Sequence, residues 1–112
     1  MARQTTKSGS ASSVTGLPKT LTFLHLTIPV IAGGTTDDES LGEWHATKAE
    51  IHYDASATEP VLRETLLHEM LHAVCEHSGL DPDDHETIIR SISPLILHML
   101  RENPKFVGWL IQ

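Results

Sequence analysis

His68-Glu69-Met70-Leu71-His72 places two imidazoles four residues apart with a carboxylate between them. On a helix, side chains at i and i+4 lie about 5–6 Å apart at Cβ, so both Nε2 atoms can converge on one cation. Glu69, one residue round the helix, then flanks an open coordination position. The chemistry that this spacing fits is metal-assisted hydrolysis. Zn2+ lowers the pKa of a bound water toward about 7 and polarises a carbonyl, and a neighbouring carboxylate can take the water's proton and hand it to a leaving amine.

Chance has to be weighed, because the chain holds eight histidines and nine glutamates in 112 residues. Those frequencies give roughly one accidental HExxH in twenty such chains. Helical context lifts the motif above that level. Leu62, Leu66, Met70, Ala73 and Val74, with Leu67 and Leu71 beside them, form a broad apolar face, and His68, Glu69 and His72 are expected on the opposite side.

The elements around the motif follow from local signals. Ser56 or Thr58 can cap the helix, Glu59 and Pro60 fill its first turn, and Gly79 suits a left-handed stop, so the motif lies mid-helix. Asp81 then caps a second helix that begins with Pro82 and carries Asp83 and Asp84 in its first turn. Its apolar stripe of Ile88, Ile89, Ile92, Leu95, Ile96, Met99 and Leu100 is expected to pack on the first helix and the sheet, with a kink at Pro94 and an end at Asn103-Pro104. Phe106, Val107, Trp109, Leu110 and Ile111 predict a short terminal helix that closes the core.

Ahead of the motif, residues 21–30 alternate as a half-buried strand and residues 48–54 as a second one, in which Ala49, Ile51 and Tyr53 alternate with Lys48, Glu50 and His52. Residues 41–46 add a short strand or a bulge, and residues 33–39 form a turn or exposed loop. The fold class is therefore α+β: a small antiparallel sheet of two to three strands packed on the HExxH helix and a second, antiparallel helix. Residues 1–16, rich in Ser, Thr and Gly, predict a flexible tail, and residues 17–112 a single domain.

Composition narrows the partners. A net charge of −7 and the lack of any Lys/Arg cluster oppose a nucleic-acid partner and suit a cationic peptide. No segment reaches the length of a membrane span. The apolar stretch 21–32 imitates a secretion signal, but His25, Pro29 and two threonines interrupt it, and a strand is the expected structure. Cys75 is the only cysteine, which fits a reducing compartment, and a buried inert thiol is its expected state.

A catalytic zinc needs a third protein ligand, and the start of the second helix is where it is expected. His85 and Glu86 compete there, with Asp83 and Asp84 behind them. Periodicity puts His85 near the middle of the apolar stripe and Glu86 on its border, which favours His85. His77 misses the extended metzincin spacing by one residue, and His98 is expected in solvent. Tyr53 and His52, on the strand before the motif, are candidate oxyanion or substrate contacts, and an exposed edge of that strand could take a peptide by strand addition.

The run from Arg63 to Val74, with Leu41-Gly42-Glu43 and Glu50-Ile51-His52-Tyr53-Asp54 before it, resembles a family of small metallopeptidase-like proteins from tailed bacteriophages. The likeness continues through His85-Glu86-Thr87-Ile88-Ile89-Arg90, Ser93-Pro94-Leu95 and Leu100-Arg101-Glu102-Asn103-Pro104 to Trp109-Leu110, and covers roughly residues 41–110. Members often carry an acidic pair where this chain has His85-Glu86, so Glu86 keeps the carboxylate and His85 is the departure. The resemblance implies a minimal zincin-like fold and a gluzincin-like Zn2+ site of His68, His72 and Glu86 with Glu69 as base. It implies a peptidase of unknown substrate in the bacterial host cytoplasm or on the virion. The alternative is a non-catalytic, zinc-stabilised module that is a phage structural part or binds a host protein.

Overall fold

The computed structural model describes residues 16–37 and 39–112; the expected tail lies outside them but for Gly16. The elements run β1 (Thr20–Phe23), β2 (Leu26–Ala32), β3 (Gly42–His45), β4 (Glu50–Tyr53), α1 (Glu59–Glu76), α2 (Pro82–Glu102) and α3 (Pro104–Leu110). The class is α+β as expected, but the sheet has four strands in the order β1-β2-β4-β3 and is mixed.

The expected strand 21–30 is a hairpin. It turns at Leu24 and His25, between Phe23 and its partner Leu26, and Leu24 takes a left-handed φ of 54°. Such a φ is uncommon outside Gly, Asn and Asp, so neither residue announces the turn. β2 then pairs with β4 in parallel, Val30 beside Ile51 and Ala32 beside Tyr53. β3 pairs with β4 antiparallel, so β4 lies inside the sheet and β3 at its rim.

The alternation along β4 decides which face is covered. Ile51 and Tyr53 are buried beneath α1, whereas Glu50 and His52 point the other way. Ile28, Leu62, Leu66 and Ala73 complete the core, with Met70 and Trp44 packed at its margin. Fully burying an aliphatic chain of this size stabilises by about 1.5–3 kcal/mol.

The helices obey their end signals with one exception. Thr58 holds the extended N-cap position of α1 but makes no side-chain cap bond, and Ser56 instead donates to Asp54 Oδ1 at 2.7 Å. Gly79 takes φ 81° just beyond the helix, as its placement predicts. Asp81 accepts from the Asp83 amide at 3.0 Å and caps α2, which runs on through Pro94.

α2 packs mainly against α1, so the layers stack as sheet, α1, α2. Of its stripe Ile89 is fully buried, while Leu95 is 67 % exposed, and Ile92, Met99 and Leu100 are also exposed. Nor does α3 close the core. None of its residues is buried, and Trp109 is 66 % exposed. α1 covers only part of the stripe.

Candidate metal centre

α1 and α2 bring His68, His72 and Glu86 together. Glu86 Oε1 lies 3.2 Å from His68 Nε2 and 3.0 Å from His72 Nε2. One donor atom from each of the three lies within 4.8 Å of the others, a convergence that could hold a metal ion. Glu86 is therefore the α2 residue that meets the two histidines. His85 is buried and its Nε2 sits 3.2 Å from the Leu80 carbonyl oxygen, outside the group. The apolar stripe turns toward the core, and the residue on its border faces the cleft.

The protonation states suit ligation. Burial pulls the His72 imidazole below its ordinary pKa, although Glu86 works the other way, which favours the neutral ring that a metal requires. Burial opposes ionisation of Glu86, yet His68, Arg90 and His72 outweigh it and hold its carboxyl below the usual range. Arg90 Nη2 donates to Glu86 Oε2 at 2.8 Å, leaving Oε1 for the histidines. The Glu-to-Arg spacing of four residues is visible in the sequence as a helical pair, and it is a supporting contact the motif alone does not reveal.

Glu69 is not on the face opposite the core. It is only 8 % exposed and shares the buried side of α1 with Leu62, Thr65, Leu66 and Ala73. Seven residues separate Leu62 from Glu69, almost two full turns, so the two side chains line up. Burial raises the Glu69 carboxyl; His68 and a hydrogen bond with the Trp44 backbone pull it down, while Glu86 and Glu43 push it up.

β3 reaches Glu69 because Gly42 has no side chain. A Cβ there would stand 2.5 Å from Thr65 Cγ2 and 3.3 Å from Glu69 Cγ. Trp44 Nε1 also donates to Glu76 Oε2 at 2.7 Å and ties β3 to the far end of α1. Between β3, α1 and α2 opens a cleft of about 680 Å³, lined by Leu41, Gly42, Trp44, Thr65, His68, Glu69, His72, Glu86, Arg90 and Pro94, with Glu39, Glu43 and Glu64 also in its lining.

Tyr53 and His52 do not line this cleft. Tyr53 is buried in the core, and His52 lies on the opposite face of the sheet, its Nδ1 2.9 Å from the Gly33 carbonyl oxygen. β4 also has no free edge for a peptide, since β2 and β3 flank it; the edge strand beside the cleft is β3. Cys75 is buried and free, as its position predicts. His77 Nδ1 lies 3.0 Å from the Ala73 carbonyl oxygen and its ring meets Phe23 edge-on, so it takes no part in the centre.

No helix among the described residues is long and apolar enough to cross a membrane. No family model, curated protein or solved structure matches the chain, and the chemistry of this centre has to be read from its own atoms.

Proposed function

We propose that this protein is a zinc-dependent peptidase of minimal zincin-like architecture, with His68, His72 and Glu86 as ligands and Glu69 as general base. The observation that carries this reading is the convergence of those three donors from two helices beside a buried carboxylate in one cleft. A zinc ion held there would polarise the scissile carbonyl and acidify the water beside it.

The chain's own residues account for the rest. A carboxyl raised by burial is a stronger base, so Glu69 takes the water's proton as the new C–O bond forms. It returns that proton to the amide nitrogen as the C–N bond breaks, and ends as the carboxylate it began. Arg90 keeps Glu86 oriented.

β3 pairs only with β4 among the described residues, so its outer edge is available to an extended peptide by strand addition. Glu39 and Glu64 in the cleft lining favour substrates with basic residues. The resemblance of residues 41–110 to phage metallopeptidase-like proteins adds a setting, the bacterial host cytoplasm or the virion.

The test is cleavage of a quenched fluorescent peptide library by the zinc-loaded protein. Glu69→Gln should lower turnover about 10²–10⁴-fold while metal content and fold persist. Equal cleavage by the variant and wild type would overturn the reading.

One observation favours a second reading, a non-catalytic zinc-stabilised phage structural or host-binding module. The uncovered apolar side chains of α2 and α3, Trp109 and Leu95 among them, form a surface of the kind that docks on another protein. Its mark would be a large loss of melting temperature on chelation with no cleavage of the library.

A further inference from the structure

The wet face of the sheet carries a second convergence of donors, turned away from His68. Glu43 and His45 project from β3 and Glu50 and His52 from β4, and the register sets Glu43 across from His52 and His45 across from Glu50. One ring nitrogen from each histidine and one carboxylate oxygen of Glu50 lie within 4.8 Å of one another. The two imidazoles stack with centroids 4.2 Å apart and planes 19° from parallel.

A single loop holds the outer side of both rings. His52 Nδ1 lies 2.9 Å from the Gly33 carbonyl oxygen, which can only accept, so Nδ1 carries the proton. The ring's other nitrogen, Nε2, faces Glu50 Oε1 at 3.1 Å. His45 Nε2 lies 3.0 Å from Glu43 Oε1. Glu43 in turn accepts from the Thr36 amide at 2.9 Å, the Thr36 hydroxyl at 3.0 Å and the Asp37 amide at 3.2 Å.

Held by those three donors, the Glu43 carboxylate is placed to accept the His45 Nε2–H. Gly34, at φ 78°, lies so close that a Cβ would stand 2.6 Å from His52 Nδ1. Imidazoles that ligate metals almost always have their second nitrogen held in this way, by a backbone carbonyl or a carboxylate. His52 Nε2 and Glu50 Oε1 point at one another 3.1 Å apart, a separation that two ligands of one cation can share.

We infer that His45 Nδ1, His52 Nε2 and the Glu50 carboxylate form a second site for a divalent transition metal, with Zn2+ the ion best suited to two imidazoles and one carboxylate. Donors around a tetrahedral zinc stand about 3.3 Å apart, so the stacked rings tilt as the ion enters. Bound there, the ion clamps β3 to β4 and to the loop at 33–37. It thus steadies the strand that carries Gly42 and Trp44 to the cleft, and it does so whether or not His68 and His72 hold a metal.

The experiment is a Zn2+ titration of the chelator-stripped full chain, with bound metal counted after dialysis and folding checked by circular dichroism. Wild type should bind two ions, His68→Ala/His72→Ala one, and Glu43→Gln should weaken the sheet-face ion about 10–100-fold. Ring nitrogen NMR on the unmutated protein gives a readout independent of any variant. It should show Nδ1–H at His52 and Nε2–H at His45 before Zn2+, and shifts at the opposite nitrogens after it. A folded His68→Ala/His72→Ala protein that binds no ion would overturn the inference, as would unmoved His45 and His52 resonances. Failure of the peptidase centre looks different: wild type would bind one ion and shift His45 and His52 alone.

Discussion

Gly42 stands so close to Thr65 that a methyl group added to it would come within 2.5 Å of the threonine's Cγ2. This approach sets the distance between β3 and α1 and lets the Trp44 backbone reach the Glu69 carboxylate. Gly42→Ala is therefore expected to cost about 1–3 kcal/mol, the usual effect of forcing an extra methyl into a packed contact. Gly42→Ala/Thr65→Ser, which removes the opposing methyl, should recover part of that loss in urea melts. Equal stability of the single variant and wild type would show that β3 can move away freely.

Metal affinity separates the roles of three α2 residues. Glu86→Ala removes a proposed ligand and should have the largest effect. Arg90→Ala removes the guanidinium 2.8 Å from Glu86 Oε2, and a loss of about 10–100-fold is expected. His85→Ala should leave the affinity near wild type, since its ring faces the Leu80 carbonyl. Competition with a chromogenic chelator measures all three, and a His85 effect larger than that of Glu86 would reverse the assignment.

Glu43 supplies a pH signature. Its carboxyl is held at about 2 against an ordinary 4.5, so the folded state binds its proton less readily than the unfolded chain does. The resulting stabilisation is complete above 4.5 and disappears as pH falls toward 2. The gap in melting temperature between wild type and Glu43→Gln should close over that interval. A gap that stays constant through it would mean that the Thr36 and Asp37 contacts do not persist in solution.

Burial predicts a contrast within the helical layer. Ile89 is fully enclosed against α1, and Ile89→Ala should cost about 2–5 kcal/mol. Trp109→Ala, at a position 66 % exposed, should change stability by no more than about 0.5 kcal/mol despite the size of the side chain. Chemical denaturation decides both, and a costly Trp109 substitution would place α3 against the core after all.

Much of this arrangement can be read from local chemistry. Pro60 and Gly79 bracket α1, Asp81-Pro82 opens α2, and alternation marks β4. The elements that escape are those whose signals are weak or distant. Leu24 and His25 turn the first hairpin without a turn residue, and nothing near Val30 announces its parallel partner Ile51.

Glu69 is misplaced by drawing the apolar face from apolar residues alone; the spacing from Leu62 puts it on the buried side. The sheet-face cluster has a legible trace in the repeated Glu-x-His of residues 43–45 and 50–52, but only the antiparallel register brings the two copies together. Glu86 emerges over His85 because helix rotation, which periodicity gives only coarsely, decides which neighbour meets the cleft.

The parallel contact between β2 and β4 encloses the β3–β4 hairpin within its own connection. Two short-range ribbons, 20–32 and 42–53, can each zip up locally before they join. The slow event in assembly is then their mutual docking, with α1 as the lid that rewards it. Until that docking occurs, Gly42 and Glu69 have no reason to be neighbours, so the cleft between β3 and α1 takes shape in the last act of folding.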